Sequence, residues 1–334
     1  MSAPSVLTII LNYKTAAMTL RSAEAARIAM QDLPGEIVIV DNDSQDGSFE
    51  TLRDHVASEG WDHVRILQSG HNGGYGAGNN VGIRAGLSDG SKPDYVYILN
   101  SDAFPEPDAI RVLYDYLQTH EDVGFAGSYI YGEGGVKHTT TFRFPSLYSE
   151  FEGAIHFGPV SRLLRKHRVS IENLDETARV DWFAGASVMM RQSVLDQIGL
   201  FDETFFLYFE ETDLCRRAEK ANFSKVYVRE SAVMHLGSVS TGMKTWQRVP
   251  DYWFKSRFYY FRKNHGLPYA ALATLIHLGA GSLHWLRCKL TGKKLGVAPH
   301  FLRSMARHDF AAIFGFGGGI HLPSNPKPDP QIGE

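Results

Sequence analysis

Apolar and polar positions in the N-terminal third of the chain predict strands and helices that follow one another in turn. Short runs rich in Val, Ile and Tyr are bounded by turn residues, as expected of buried strands, and the segments between them have helical character. This order indicates an α/β fold with a mostly parallel, Rossmann-like central sheet flanked by helices. The predicted strands are Val6–Leu11, Glu36–Asp41, Val64–Gln68 and Tyr95–Asn100, and the predicted helices are Thr19–Met30, Phe49–Ser58 and Gly78–Gly86.

Three of these predicted strands end in polar side chains. They lead into Asn12 and Tyr13, into Asp41, and into Asn100, Ser101 and Asp102. In an open α/β sheet the carboxyl ends of the strands form the ligand crevice, so these side chains predict one site along one edge of the sheet. The amide of Asn100 and the carboxylate of Asp102 suggest a cation that carries phosphate oxygens.

The rest of the chain is less regular. Residues 132–180 are interrupted by glycines, prolines and a basic group, which predicts a long, partly mobile insertion. The proline-rich end beyond residue 323 predicts disorder. Between them the pattern predicts a strand at Trp182–Arg191, helices at Ser193–Ile198 and Glu210–Ala221, and a strand at Ser224–Val228.

Composition narrows the class of protein. The 334 residues are 43% hydrophobic and 21% charged, which fits a globular protein of one large domain or two. A net charge of -3 gives no reason to expect nucleic acid. Cys215 and Cys288 have no metal or redox spacing, so a reducing cytosol is the simplest setting. The first apolar run is too short for a signal-peptide core.

Two polar segments in the first half are candidates for ligand binding. Asp41 closes its apolar run and could accept hydrogen bonds from a nucleobase or ribose, although the residues after it also suit a turn that caps the next helix. The glycine-rich loop from His71 to Asn80 would let backbone amides approach a ligand. It matches neither the dinucleotide nor the phosphate-loop pattern, and taken by itself a structural turn is the better explanation.

Acidic residues mark a second candidate site. Glu210, Glu211 and Asp213 open a predicted helix, where carboxylates also complement the helix dipole. The aromatic residues just before them would partly desolvate these carboxylates, and a raised pKa suits a general base. His235 stands alone in sequence, and a single histidine is more often structural than a ligand.

The C-terminal region is basic and aromatic. An uncharged stretch from Tyr269 to Leu286 lies between Arg257, Arg262 and Lys263 on one side and a second basic group after it. Polar residues within the stretch and basic flanks on both sides favour binding along an anionic membrane surface rather than crossing the bilayer. The alternative is a buried helical hairpin.

Together these segments resemble family 2 inverting glycosyltransferases with the GT-A fold, in the bacterial rhamnosyltransferase-like and galactofuranosyltransferase-like branch. The resemblance spans roughly residues 5–265. It implies a GT-A domain over 1–250, with a nucleotide-sugar half at 1–131 and an acceptor and catalytic half at 132–250, then a helical extension at 251–322 and a disordered tail at 323–334. The matching segments are Thr8–Tyr13, Val40–Ser48, Asn72–Asn80, Leu99–Asp102, Phe183–Arg191 and Tyr208–Leu214.

The resemblance also implies roles for individual residues. Glu211 would be the catalytic base, although it stands where the family usually has Asp, which leaves Glu210 and Asp213 as alternatives. Asp102 and His235 would bind Mg²⁺ or Mn²⁺ with help from Asn100, which replaces the first Asp of the Asp-X-Asp motif. The donor would be held by Asn12, Tyr13, Asp41, Asn72, Gly74, Asn80, Asn100, Ser101 and Asp102, and the acceptor by Trp182, Gly185, Glu210 and Asp213.

The implied reaction is transfer of a sugar from a dTDP-linked or UDP-linked donor to a saccharide or lipid-linked saccharide, with inversion. Rhamnose is the first choice of sugar and galactofuranose the second. The expected location is cytoplasmic, on the inner face of the cell membrane, and oligomerisation stays open. A sugar nucleotidyltransferase would need a basic glycine-rich loop after the first strand, which Asn12–Thr15 does not supply. A non-catalytic carbohydrate-binding protein is the remaining alternative.

Overall fold

The computed structural model describes residues 3–172, 174–237 and 248–315. Within these ranges the chain forms one large sheet with helices on both faces and a helical extension, which confirms the predicted fold class. The strands are β1 (Val6–Asn12), β2 (Gly35–Asp41), β3 (Val64–Gln68), β4 (Tyr95–Asn100), β5 (Ala103–Pro105), β6 (Val123–Tyr131), β7 (Thr141–Phe142), β8 (Ala178–Arg179), β9 (Trp182–Phe183), β10 (Ser187–Arg191) and β11 (Ser224–His235). The helices are α1 (Ala16–Ala29), α2 (Ser48–Ser58), α3 (Tyr75–Ala85), α4 (Ala109–Thr119), α5 (Leu147–Ile155), α6 (Gly158–Leu163), α7 (Gln192–Ile198), α8 (Glu210–Lys220), α9 (Asp251–His265), α10 (Leu267–Thr291) and α11 (Phe301–Phe314).

The order of strands in the large sheet brings the predicted polar ends together. It runs β3, β2, β1, β4, β10, β6, β11, β5, and β8 pairs with β11. Strands β3, β2, β1 and β4 are parallel, with Asn12 beside Asp41 and Leu11 beside Asn100. Strands β2, β1 and β4 are largely buried on both faces, which explains why they are apolar almost throughout, whereas β3 at the edge of the sheet is only partly buried.

Residues 132–180 are more ordered than the sequence predicts. They contain β7, α5, α6 and β8 within the described residues, so the prediction of an irregular insertion is wrong for much of this segment. Ser146 and Ser149 form a capping box at the start of α5, with Ser149 N donating to Ser146 Oγ over 3.3 Å. Ala154 and Ile155 of α5 then pack on Ala280 of α10, a contact with a partner more than a hundred residues away that local composition does not reveal.

Two predicted strands differ from those observed. The strand predicted at Trp182–Arg191 is divided into β9 and β10, because Ala184 and Ala186 bond to Thr140 and Asn100 respectively around Gly185. The strand predicted to end at Val228 continues, as β11, to His235 through an irregularity before Ala232. His235 therefore ends a strand and pairs with Ala103 of β5.

Helices α9 to α11 form the helical extension, and buried charges join them to the α/β domain. Arg257 of α9 is 1% exposed, and its guanidinium lies 2.6 Å from Glu150 of α5 and 3.1 Å from Asp309 of α11. Thr274 of α10 donates to Asp309 over 2.6 Å. This network predicts that the three helices and α5 unfold together. The predicted tail at 323–334 lies outside the described residues.

The network also makes stability depend on pH. Burial raises the pKa of Glu150, but Arg257 and His277 outweigh that effect and lower the pKa to about 2, against 4.5 for an ordinary glutamate. A carboxyl whose pKa is lower in the folded protein stabilises it fully above the ordinary pKa. That stabilisation is lost as the pH falls from 4.5 toward 2.

We expect Arg257→Ala to lower the free energy of unfolding by about 3–5 kcal/mol at neutral pH, because it leaves two buried carboxylates without their cation. Urea unfolding measures this change. Lys255→Ala, on the exposed side of the same helix, should change the free energy by about 0.5 kcal/mol or less. Equal losses in both variants would contradict a specific role for Arg257.

Candidate active site

A cavity of about 420 Å³ opens where the carboxyl ends of the parallel strands meet the loop before α8. One wall comes from the ends of β1, β2 and β4 and from the glycine-rich loop, and the other comes from residues 206–211 and the start of α9. The cavity is lined by Leu11, Tyr13, Asn42, Asn72, Gly74, Tyr75, Asn100, Ser101, Asp102, Phe206, Leu207, Tyr208, Glu210, Glu211 and Tyr252.

Asp102, His235 and Asn100 come together beside this cavity. His235 Nε2 lies 3.0 Å from Asp102 Oδ1 and 3.4 Å from Asn100 Nδ2. The pairing of β11 with β5 sets this geometry, and Leu236 N also donates to the Asp102 carbonyl over 3.1 Å. Carboxylate, imidazole and amide groups therefore converge from segments separated by more than a hundred residues.

These side chains have the chemistry needed to hold a divalent cation. Mg²⁺ in nucleotide sites is usually bound through one or two carboxylates together with substrate phosphates, and imidazole also suits first-row metals such as Mn²⁺. In the described part of the chain no three His, Cys, Asp or Glu side chains cluster closely enough to hold a metal ion. The group around Asp102 thus fits an ion whose remaining ligands come from a bound phosphate.

The loop before α8 is held in place by a close backbone contact with the glycine-rich loop. Tyr75 N donates to the Phe206 carbonyl over 3.0 Å, and a Cβ on Gly74 would lie 1.8 Å from that carbonyl oxygen. Tyr208 and Phe209 both have positive φ angles, 70° and 71°, which is unusual for non-glycine residues and costly for each. This strained turn directs the first residues of α8 toward the cavity.

Glu210 and Glu211 are the two acids of the cavity wall. Glu211 Oε1 accepts a hydrogen bond from Gly185 N over 3.3 Å, whereas Glu210 is 1% exposed and its Oε2 has no hydrogen-bond partner among the described residues. Burial raises the pKa of Glu211. Burial raises the pKa of Glu210 well above its usual value, and the charge of Glu211 adds to this effect. Glu210 therefore holds its proton more strongly than Glu211, and Glu211 is the first of the pair to ionise.

Asn42 and Tyr75 line the cavity, although sequence analysis missed both. Asn42 Nδ2 donates to Asn72 Oδ1 over 2.9 Å, and Asn72 Oδ1 also accepts from Gly74 N over 3.1 Å. Tyr75 donates its hydroxyl proton to the Gly185 carbonyl over 2.6 Å. Burial, with Glu211 and then Glu210 nearby, raises the pKa of Tyr75, so this hydroxyl stays protonated. Both residues lie within the predicted motifs, but only the folded chain distinguishes their side chains from their neighbours.

The side chains of two predicted donor ligands form hydrogen bonds with other residues of the protein. Asn12 is fully buried, and its amide donates to Asp41 Oδ1 over 2.7 Å. Asn80 donates to the Phe201 carbonyl and to Glu203 over 2.9 and 2.8 Å. Both side chains thus serve the packing of the strand ends and of α3, and direct donor binding by Asn12 and Asn80 stays a prediction.

Asp41 is 1% exposed and lies just outside the cavity wall. It accepts hydrogen bonds from Ser44 N and Ser44 Oγ as well as from Asn12. These contacts shape the turn that carries Asn42. Donor binding by Asp41 itself stays a prediction.

Three predicted acceptor ligands, Trp182, Gly185 and Asp213, do not line the cavity. Trp182 stacks on Phe142 with ring centroids 4.2 Å apart and donates Nε1 to the Arg143 carbonyl. Asp213 is fully buried and paired with Arg217 at 2.9 Å and Lys263 at 2.7 Å. Asp213 is therefore corrected from a candidate base to a structural residue, because it lies one helical turn past Phe209 on the buried side of α8.

The aromatic side chains of the wall opposite the strand ends come from the loop before α8 and from α9. Phe206 lies 5.5 Å from Tyr252 between ring centroids, and Tyr208 lies 6.3 Å from Tyr252 with nearly parallel rings. Tyr252 belongs to α9, so the helical extension completes the wall. No sequence signal near Tyr252 indicated this position, because its neighbours in the cavity are more than forty residues earlier in the chain.

The family described as "Glycosyl transferase family 2" matches residues 5–199, more than half of the chain. The chain belongs to this family. It is a glycosyltransferase, as the resemblance in its motifs predicted. The match covers the strand ends and the glycine-rich loop and stops before Glu210, so the acidic wall of this family 2 glycosyltransferase rests on the geometry above.

Two curated relatives and one solved structure agree with this assignment. An N-acetylglucosaminyl-diphospho-decaprenol L-rhamnosyltransferase of Mycobacterium tuberculosis is 31% identical over 223 residues, 63% of this chain and 69% of the relative. Rhamnosyltransferase WbbL of Escherichia coli is 25% identical over 165 residues, 48% of this chain and 60% of the relative. The mannosyltransferase PcManGT of Pyrobaculum calidifontis, solved with GDP-Man and Mn²⁺, has a TM-score of 0.54 at 14% identity over 94% of this chain and 88% of that chain.

We expect Gly185→Ala to reduce the rate of glycosyl transfer by about 100-fold while the protein stays folded, because small displacements of reacting groups cost that much. A Cβ at this position would lie 2.5 Å from the Tyr75 hydroxyl and 3.0 Å from Glu211 Oε1. Steady-state kinetics and circular dichroism check both expectations. Gly153→Ala is the control, since a Cβ there meets nothing within 4 Å. Unchanged kinetics in Gly185→Ala would contradict the assigned geometry of Glu211.

Proposed function

We propose that this glycosyltransferase moves a sugar from a nucleotide-sugar donor to a lipid-linked saccharide in one inverting displacement that depends on a divalent metal. The observation that carries the proposal is the arrangement of the cavity, where the wall that contains Asn100 and Asp102 faces Glu210 and Glu211. A displacement of this kind needs a leaving group held on one side of the anomeric carbon and a base on the other.

The donor occupies the wall made by the strand ends. Asn72, Gly74, Ser101 and Tyr13 line the cavity there, and Asp102 and His235 would hold Mg²⁺ or Mn²⁺ with the oxygen of Asn100. When bound, the ion neutralises charge on the departing diphosphate. The solved mannosyltransferase of the same fold was crystallised with GDP-Man and Mn²⁺, which supports this choice of ligand and metal.

Glu211 acts as the base. Its carboxylate takes the proton from an acceptor hydroxyl as that oxygen bonds to the anomeric carbon, and the bond from the carbon to the diphosphate oxygen breaks on the opposite side. Glu211 is only partly buried, whereas Glu210 is almost fully buried and holds its proton more strongly, so Glu211 is the better placed of the two. The Gly185 amide orients the carboxylate.

The acceptor lies against Phe206, Tyr208 and Tyr252, whose flat apolar faces suit a sugar ring. The names of the mycobacterial and Escherichia coli relatives both specify rhamnosyl transfer, which supports dTDP-rhamnose as the donor over UDP-galactofuranose. The mycobacterial relative acts on a decaprenol-linked saccharide by name, which supports a lipid-linked acceptor. Such an acceptor would place the enzyme at the cytoplasmic face of the membrane.

We expect Glu211→Gln to lower kcat by about 10²–10⁴-fold, because the amide cannot take a proton. Glu210→Gln should stay within about tenfold of the parent enzyme and keep the shape of its pH profile, since Gln mimics a protonated Glu. The acid limb of kcat/KM should lie above pH 4.5, because the pKa of Glu211 is raised from that value and activity falls when the base is protonated. The opposite ranking of the two variants would assign the base to Glu210.

We expect MnCl₂ added with dTDP to raise the melting temperature by about 3 °C or more, because a ligand that binds only the folded state stabilises it. His235→Ala should lose most of the manganese-dependent part of this shift and keep the part produced by dTDP alone. His120→Ala, at an exposed histidine just after the end of α4, serves as the control. An undiminished manganese effect in His235→Ala would exclude this histidine as a ligand.

A further inference from the structure

The outer face of α10 carries a row of exposed leucines. Leu272, Leu275, Leu283, Leu286 and Leu290 are 45–78% exposed, and we call them the leucine stripe. Their spacing places them on one side of the helix over about 27 Å, because each residue advances about 1.5 Å and each turn takes 3.6 residues. The opposite side of α10 is buried against α5, α9 and α11. Exposed apolar surface this continuous marks an interaction site.

The polar residues around the stripe are basic. Between residues 252 and 315 the chain has ten Lys and Arg and one acidic residue, although its overall net charge is -3. The one acid is Asp309, which is fully buried and paired with Arg257. Lys289 lies over the ring of Trp285, which is 47% exposed, at 5.0 Å, and Lys293 and Lys294 follow it on the surface.

Helix α6 extends this surface. Arg287 of α10 donates to the His156 carbonyl over 2.7 Å and lies over the Phe157 ring at 5.0 Å, which fixes the start of α6 beside α10. Leu163 at the end of α6 is 81% exposed. Exposed Arg162, Arg165 and Lys166 surround it. An apolar patch with a basic border thus appears on two adjacent helices.

We propose that the leucine stripe, with Trp285 and the end of α6, is the surface by which this enzyme docks on an anionic lipid bilayer. Leucines on one face of a helix, with a tryptophan and a lysine on the flank of that face, suit a helix that lies in the headgroup layer with its apolar face toward the acyl chains. Within the described residues no helix has the length and hydropathy to cross a bilayer. The helix would therefore lie along the surface.

A second copy of the chain is the competing occupant. Two copies that met through their stripes would bring two strongly basic regions together with no exposed acid between residues 252 and 315 to offset them. Anionic headgroups supply the missing charge. The charge around the stripe therefore favours lipid over self-association.

The test is sedimentation of the full chain with vesicles of phosphatidylcholine containing phosphatidylglycerol, compared with phosphatidylcholine alone. The triple variant Leu275→Ser, Leu283→Ser, Leu286→Ser should bind the anionic vesicles about tenfold or more weakly. Lys289→Gln with Lys293→Gln and Lys294→Gln should weaken binding and reduce its sensitivity to salt. The control is Ile28→Ser with Val136→Ser, two apolar residues exposed to a similar degree on other parts of the fold.

Vesicle binding is measured without substrates and does not depend on the proposed glycosyl transfer. The docking surface and the proposed function can therefore fail separately. The stripe variant should also lose transfer to a long-chain lipid acceptor in vesicles and keep transfer to a short-chain acceptor in solution. Equal vesicle binding by the parent and stripe variants would overturn the docking surface. So would sedimentation equilibrium that shows dimers of the parent and monomers of the stripe variant without any vesicle binding.

Discussion

A backbone contact between Gly74, Tyr75 and Phe206 holds the two walls of the active site together. The amide of Tyr75 bonds to the Phe206 carbonyl, and only the missing side chain of Gly74 allows the approach. One hydrogen bond contributes about 1 kcal/mol, but its position fixes where the loop before α8 crosses the strand ends. The distance between the strand-end wall and the acidic wall of the cavity thus depends on main-chain atoms, which a side chain at residue 74 would force apart.

The pKa values of Glu210 and Glu211 on the acidic wall are raised because these side chains pack against buried apolar groups. A small void of about 20 Å³ beside Glu211 is lined almost entirely by apolar side chains, Phe125, Phe183 and Leu214 among them. The same surroundings raise the pKa of the neighbouring Cys215 thiol to about 12, so this cysteine is chemically inert. Glu211 has apolar side chains on one side and the solvated cavity on the other. Its carboxylate therefore binds a proton more readily than a carboxylate in water.

Sequence pattern predicted the parallel strands well because each is a local apolar run with a polar end. Asn100, Asp102 and Glu211 were found for the same reason, since each sits at a boundary between an apolar run and a turn. Asp213 was misassigned because its partner Lys263 is fifty residues later, and no local pattern shows that pairing. Tyr252 was missed for the same reason, as only the packing of α9 brings it to Phe206.

The two walls of the cavity come from separate parts of the chain, and Tyr252 belongs to the later part. The ends of β1, β2 and β4 and the glycine-rich loop, which form one wall, all precede residue 103, whereas Phe206, Glu211 and Tyr252 on the opposite wall all follow residue 205. Substitutions in the later segment can therefore reshape one wall while leaving the other unaltered, provided that Gly74 keeps its contact. Related enzymes with this fold could therefore evolve to glycosylate different molecules while they keep the same activated sugar.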